Sequence, residues 1–92
     1  MAETAEARLK RMRMRSWRRG TKEMDLVLGH WSDTHLASLS EADLLIYDVL
    51  LEENDQDLMS WILEQSTPPA AIVDLLAQIG RHARTRLTPS PE

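Results

Sequence analysis

The chain of 92 residues and 10.6 kDa is one domain's worth, about 100 to 150 residues being usual, and its 42% hydrophobic content supplies one core. It has no cysteine, no apolar run near the ~18 to 20 residues of a membrane span and no opening charged-then-apolar pattern of the signal-peptide kind; disulfides, cysteine-held metals and thiol catalysis are excluded, and a soluble protein of a reducing interior is expected. The net charge of −4 hides a segregation: residues 1–22 carry eight basic and two acidic groups, 23–74 twelve acidic groups and no Lys or Arg, and 75–92 three arginines against one glutamate. A basic entry segment joined to an acidic body bears on partners more than the net value does.

Helical periodicity recurs along the chain while period-two alternation never persists. The expected fold is all-α, a small compact five-helix bundle forming a single domain over 1–92, with its core at about 8–86 and a flexible tail at 87–92. The first helix covers about 4–18 and sets Arg8, Arg11, Arg15, Arg18 and Arg19 on one arc, with Leu9, Met12, Met14 and Trp17 scattered around the rest. Gly20 stops it, Thr21 caps the second helix and Glu23 sits in that helix's first turn, where the macrodipole favours a carboxylate. Met24, Val27, Leu28, Trp31 and His35 form the buried stripe of the second helix, with His30 on the solvent side. Gly29 within it predicts a bend or a close contact with another backbone. Ser40 caps a third helix that reads as central, its stripe Ala42, Leu45, Ile46, Val49 and Leu50 widened by Leu44, Tyr47 and Leu51. Asn54 or Asp55 caps a short fourth helix with Leu58, Met59, Trp61, Ile62 and Leu63 as its apolar residues. Thr67 followed by Pro68 matches a cap with proline at the first helical position. The fifth helix then buries Ile72, Leu75, Leu76 and Ile79 and ends on Arg81, Arg84 and Arg86.

Few residues suggest chemistry. His30 and His35 lie about 140° apart on a helix and do not share a metal-facing side. No phosphate loop, nucleophile elbow or H-E-x-x-H occurs, and no carboxylate pair stands out among the many acids. No catalytic residue and no metal ligand is assigned. The arginine stripe either answers the protein's own acidic body or contacts phosphates or an anionic membrane surface. The strongly acidic body argues against nucleic acid, and the lack of a clean apolar half argues against membrane insertion.

The junction between the first two helices reads Trp17-Arg18-Arg19-Gly20-Thr21-Lys22-Glu23-Met24-Asp25-Leu26. Its Arg19-Gly20-x-x-Glu23 resembles the R-G-x-x-E signature of the SdhE family, also called succinate dehydrogenase assembly factor 2. The context is similar too: Leu50-Leu51-Glu52 ends the third helix, and Asp55-x-Asp57-Leu58 precedes Trp61-Ile62-Leu63, in the family's order over about residues 8–80. The chain departs from the family in having Gln56 where proline is frequent, and Trp, Leu or Met where Phe is common in the core.

The resemblance implies a helical assembly factor that promotes covalent attachment of FAD to the flavoprotein subunit of succinate dehydrogenase, and in bacteria of fumarate reductase. It implies a non-enzyme with no tightly bound cofactor, acting on FAD held by the client flavoprotein. Carried onto this sequence, the partner-binding residues are Arg18, Arg19, Gly20, Glu23 and Asp25, with a secondary contact at Arg15, Asp55, Asp57 and Trp61. Arg19 would offer a forked donor to a client carboxylate or carbonyl, Glu23 would accept from a client donor or order the junction, and Gly20 would serve as a positive-φ helix stop or allow close backbone approach. Trp61 reads more readily as core than as a contact. The change of charge sign between Lys22 and Glu23 suggests a two-signed docking surface. A small nucleic-acid-binding regulator and an antitoxin-like inhibitor are the alternative classes. A bacterial cytoplasmic protein, monomeric when free, is expected, since the family-like segment begins almost at once and two glutamates interrupt the arginine-rich start.

Overall fold

Short polar side chains set the helix starts. Thr4, Thr21, Ser40 and Asn54 each stand in extended backbone and accept a backbone N–H from the turn that follows. The computed structural model describes residues 2–87, with side chains through 85. Its elements are α1 (Ala5–Trp17), α2 (Lys22–His35), a 3-10 turn (Leu36–Ser38), α3 (Glu41–Leu51), α4 (Asp55–Ile62) and α5 (Val73–Leu87). The expected all-α five-helix bundle is therefore the fold, and no strand occurs among the described residues. Residues 88–92 of the expected tail, and the Arg86 side chain, lie outside those described.

The core gathers Met12 of α1, Met24, Leu28 and Trp31 of α2, Tyr47, Leu50 and Leu51 of α3, Leu58 of α4, and Leu75, Leu76 and Ile79 of α5. The central helix is α2, which packs against α1, α5 and the 3-10 turn. This corrects the expectation that α3 is central, and part of its predicted stripe faces outward: Leu45 and Val49 are 56% and 54% exposed, and Ala42 is exposed as well. Leu50 of that stripe goes inward as expected, together with the flanking Tyr47 and Leu51, and Leu44 and Ile46 pack beside them. Apolar residues surround most of α3, so periodicity leaves two arcs of similar hydrophobicity, and only packing against α1 and α5 selects between them.

Three local expectations also change. Thr67 and Pro68 do not begin α5; Pro69 follows Pro68 and steers it away from helical backbone, and the helix starts at Val73 after a turn in which Ile72 N–H reaches Pro69 O at 3.1 Å. Gly29 meets a side chain rather than a backbone: a Cβ there would stand 2.3 Å from the Trp17 ring. His30 is half-buried with its ring edge-on to Trp17, centroids 5.1 Å apart. Trp17 is fixed further by its indole N–H, which donates to Asp33 at 3.2 Å.

One polar pair lies inside the core. Ser16 donates its hydroxyl to Met12 O at 2.7 Å, so the Tyr47 hydroxyl donates to Ser16 Oγ. Both residues are fully buried, and burial pushes the Tyr47 phenol up to about 12.

The arginine stripe answers the acidic body. Arg8 pairs with Glu41 at 2.8 Å, Arg11 with Asp48 at 3.0 Å and with Glu3 at 2.8 Å, and Arg15 with Glu52 at 2.6 Å. Much of the two-signed surface expected from the sequence is thus an internal ladder joining α1 to α3. The Arg11 guanidinium holds both Glu3 and Asp48 below the usual carboxylate range.

Candidate functional site

The Arg19-Gly20-x-x-Glu23 segment is the link between α1 and α2. Arg18 ends α1, its N–H reaching Arg15 O at 3.4 Å, and Gly20 then takes φ 107°. A side chain is disfavoured in that conformation, which accounts for glycine by torsion alone. Space is not the reason, since a Cβ on Gly20 would meet nothing within 4 Å. Thr21 returns to extended backbone and caps α2 by accepting from Met24 N–H.

Arg19 faces inward. Its Nε donates to Asp55 Oδ1 at 2.8 Å, Nη1 to Leu51 O at 2.7 Å and Nη2 to Glu53 O at 2.8 Å, and its side chain is 8% exposed. The first carbonyl ends α3, the second lies in the turn that follows and the carboxylate belongs to the first residue of α4, so one planar fork closes the α3–α4 turn. Its own N–H donates to Asp25 Oδ1 from the first turn of α2. Arg19 therefore binds three helices to the motif, and the fork expected to reach a client carboxylate is filled by the chain itself.

Outside this latch stand the exposed residues of the junction. Arg18, Gly20, Thr21, Lys22 and Glu23 are all exposed, and Arg18 makes no ion pair among the described residues. Glu23 lines a shallow hollow of about 470 Å³ together with Thr21, Met24, Asp55, Gln56 and Met59. Asp55 in this hollow is already neutralised by Arg19, which leaves Glu23 as its uncompensated charge. On the α1 side, Arg15 and Arg18 border a second recess with Met14, which is 42% exposed.

The structure brings Arg19, Gly20, Glu23, Asp25 and Asp55 together and keeps Arg15 and Arg18 beside them. Asp57 is exposed in the first turn of α4 but does not line the hollow. Trp61 is half-buried against the core and lines a different groove, beside α5. Sequence reasoning missed Gln56, Met59 and Gln65 as lining residues. Met59 was findable, four residues beyond Asp55 on the same helical face; Gln65, past the end of α4, carried no such signal. No group of three or more His, Asp or Glu side chains among the described residues is arranged to hold a metal ion, and no helix among them is long and apolar enough to cross a membrane.

Comparison with known proteins agrees with the resemblance. The family described as "Flavinator of succinate dehydrogenase" matches residues 10–83. Mitochondrial succinate dehydrogenase assembly factor 2 of Arabidopsis thaliana is 36% identical over 64 residues, covering 70% of this chain and 34% of that protein. The protein of the same name from Meyerozyma guilliermondii is 42% identical over 59 residues, 64% of this chain and 44% of the relative. That from Dictyostelium discoideum is 30% identical over 73 residues, 79% of this chain and 52% of the relative. The chain thus spans between about a third and a half of the length of these relatives. No solved structure matches it. With about four fifths of its length and the whole Arg19–Glu23 junction inside the matched segment, the chain belongs to the succinate dehydrogenase flavinator family.

Proposed function

We propose that this chain is an assembly factor that promotes covalent attachment of FAD to the flavoprotein subunit of succinate dehydrogenase, by docking on that subunit through the surface around Gly20 and Glu23. The observation that carries the reading is the division of labour within the motif. Arg19 is turned inward and braces three helices, while Gly20 and Glu23 stand exposed on the rigid link it creates. A surface so supported can meet a partner without losing much conformational entropy.

In this reading the bundle supplies no reacting group, and FAD stays with the client. Docking holds the client's domains so that its histidine and the flavin methyl carbon approach in reacting geometry, an effect that lowers barriers by about 7 kcal/mol or more when orientation is good. Glu23 accepts from a client donor, Arg18 offers its free guanidinium, and Gly20 lets the client backbone come close where any Cβ would intrude. Arg19, Asp25 and Asp55 position these groups. The related flavoprotein subunit of fumarate reductase is a second client, and the free protein is a monomer. The relatives named above are mitochondrial by name, whereas we place this chain in a bacterial cytoplasm. In either compartment α1, the arginine-rich segment, is a structural part of the folded bundle through Met12 and the ion-pair ladder.

The test is in-gel fluorescence of covalent flavin in the client subunit, with the host's own copy deleted. Glu23→Ala and Gly20→Arg should retain helical circular dichroism and lose most of the covalent flavin. Full flavinylation with both variants, where deletion abolishes it, would reject the site.

A further inference from the structure

The end of α4 shapes a second surface. Glu64 adopts a left-handed conformation, φ 62°, which stops the helix and turns the chain toward Pro68 and Pro69. The detour leaves an open groove of about 570 Å³ between α4 and α5. Its walls are Trp61, Pro68, Val73, Leu76 and Ala77, with Val73 38% exposed. Arg81 and Arg84 form one end. Arg84 lies over Gly80, its Nη1 3.4 Å from where a Cβ would stand and 3.4 Å from Ile62 O. That arrangement holds the guanidinium in place and leaves its charge unanswered. Neither arginine has an ion-pair partner among the described residues, and Glu64 is the one carboxylate lining the groove.

The groove is continuous with the candidate docking surface. Gln65 lines both this groove and the hollow beside Glu23. A client surface resting on Glu23 and Met59 is therefore led past Gln65 into the apolar trough and toward two cations.

We propose that this groove is a second contact for the same client, and that it takes an extended client segment carrying an apolar side chain followed by a carboxylate. The apolar side chain seats against Trp61, Val73 and Ala77, and the carboxylate meets Arg81 and Arg84. Charge selects the occupant: an apolar trough ending in two arginines disfavours a basic segment and rewards an acidic one. The inference rests on the docking reading above, since the occupant is part of that client.

The experiment titrates the purified, unflavinylated succinate dehydrogenase flavoprotein subunit with the wild-type chain, Glu23→Ala, Val73→Glu, Arg81→Glu and the milder Arg81→Gln. Circular dichroism and melting temperature serve as checks on folding. Val73→Glu and Arg81→Glu should each weaken binding tenfold or more at unchanged helicity, with Arg81→Gln between them and the wild type. A photocrosslinking residue at Ala77 should capture a client peptide with Asp or Glu next to an apolar side chain. If the groove variants bind like the wild type while Glu23→Ala does not, the groove is rejected and the docking reading stands. If the wild-type chain does not bind the subunit, both are rejected. Sedimentation that shows a wild-type dimer dissociated by Val73→Glu would assign the groove to a second copy and overturn the client proposal, as would a crosslinked peptide that lacks a carboxylate.

Discussion

Arg19 and Gly20 are neighbours in one motif and answer different physical demands. Arg19 is a buried cation with every branch of its fork engaged, so removing it strands Asp55 and two carbonyls at once. Arg19→Ala should cost about 2–4 kcal/mol, seen as a fall in melting temperature of roughly 10 °C or more for a domain of this size. Arg19→Lys keeps the charge without the fork and should recover only part of that loss. Gly20 imposes a torsional demand with open space in front of it. Ala, Ser and Arg at Gly20 should therefore lose similar stability, about 1–2 kcal/mol, while flavinylation falls with side-chain size. A stability loss that itself grows with size would show that the position is crowded in the folded chain. Tyr47 adds a prediction at high pH. Its phenol holds its proton to about 12 when folded, against about 10 when unfolded, so the folded state binds that proton more tightly. The stabilisation is complete below pH 10 and is lost as pH rises toward 12. It is the chain's one tyrosine, so tyrosinate absorbance should rise together with loss of helix, and Tyr47→Phe should remove the coincidence.

At the scale of helices, what could be read in the sequence was whatever depends on near neighbours. Thr21, Ser40 and Asn54 cap helices because each acts within three residues of itself, and the stripe from Met24 to Trp31 is buried because polar residues mark its other side. Helix α3 resisted reading because Leu44, Leu45, Ile46, Val49, Leu50 and Leu51 leave no polar contrast to orient it. Leu45→Gln and Val49→Lys should accordingly change stability by less than about 0.5 kcal/mol, whereas Leu51→Ala should cost about 2–5 kcal/mol; chemical denaturation distinguishes the two. The partners of Arg19 were equally hidden, because Leu51, Glu53 and Asp55 lie 32 to 36 residues away and only the folded bundle brings them near. Gly29 belongs with them. Its need for hydrogen in place of a methyl comes from the Trp17 ring on α1, and Gly29→Ala should displace that ring at a cost of about 1–3 kcal/mol, visible as a shift in tryptophan fluorescence.

For the molecule as a whole, the divided charge is first a means of assembly. The basic α1 is drawn to acids on α3, and these pairs are partly exposed, so salt should weaken them. Arg11 holds Asp48 below its ordinary range, so the unfolded chain takes up that proton more readily. The contribution is present above the unfolded carboxylate pKa and is lost as pH falls through the lower folded value. Melting temperature should therefore drop on acidification below about pH 4, and Arg11→Ala should flatten the drop, most clearly at low salt. Arginines so engaged offer little to a polyanion, and binding to DNA should be weak at physiological salt.

The latch also has a consequence for synthesis. The motif's five residues are contiguous in the gene, but their shape depends on Leu51, Glu53 and Asp55. A nascent chain displays every letter of the motif long before it can form the surface, which is completed only after α4 has left the ribosome and closed on Arg19. A synthetic peptide spanning residues 15–30 would carry the same letters and should not compete with the full chain for its client.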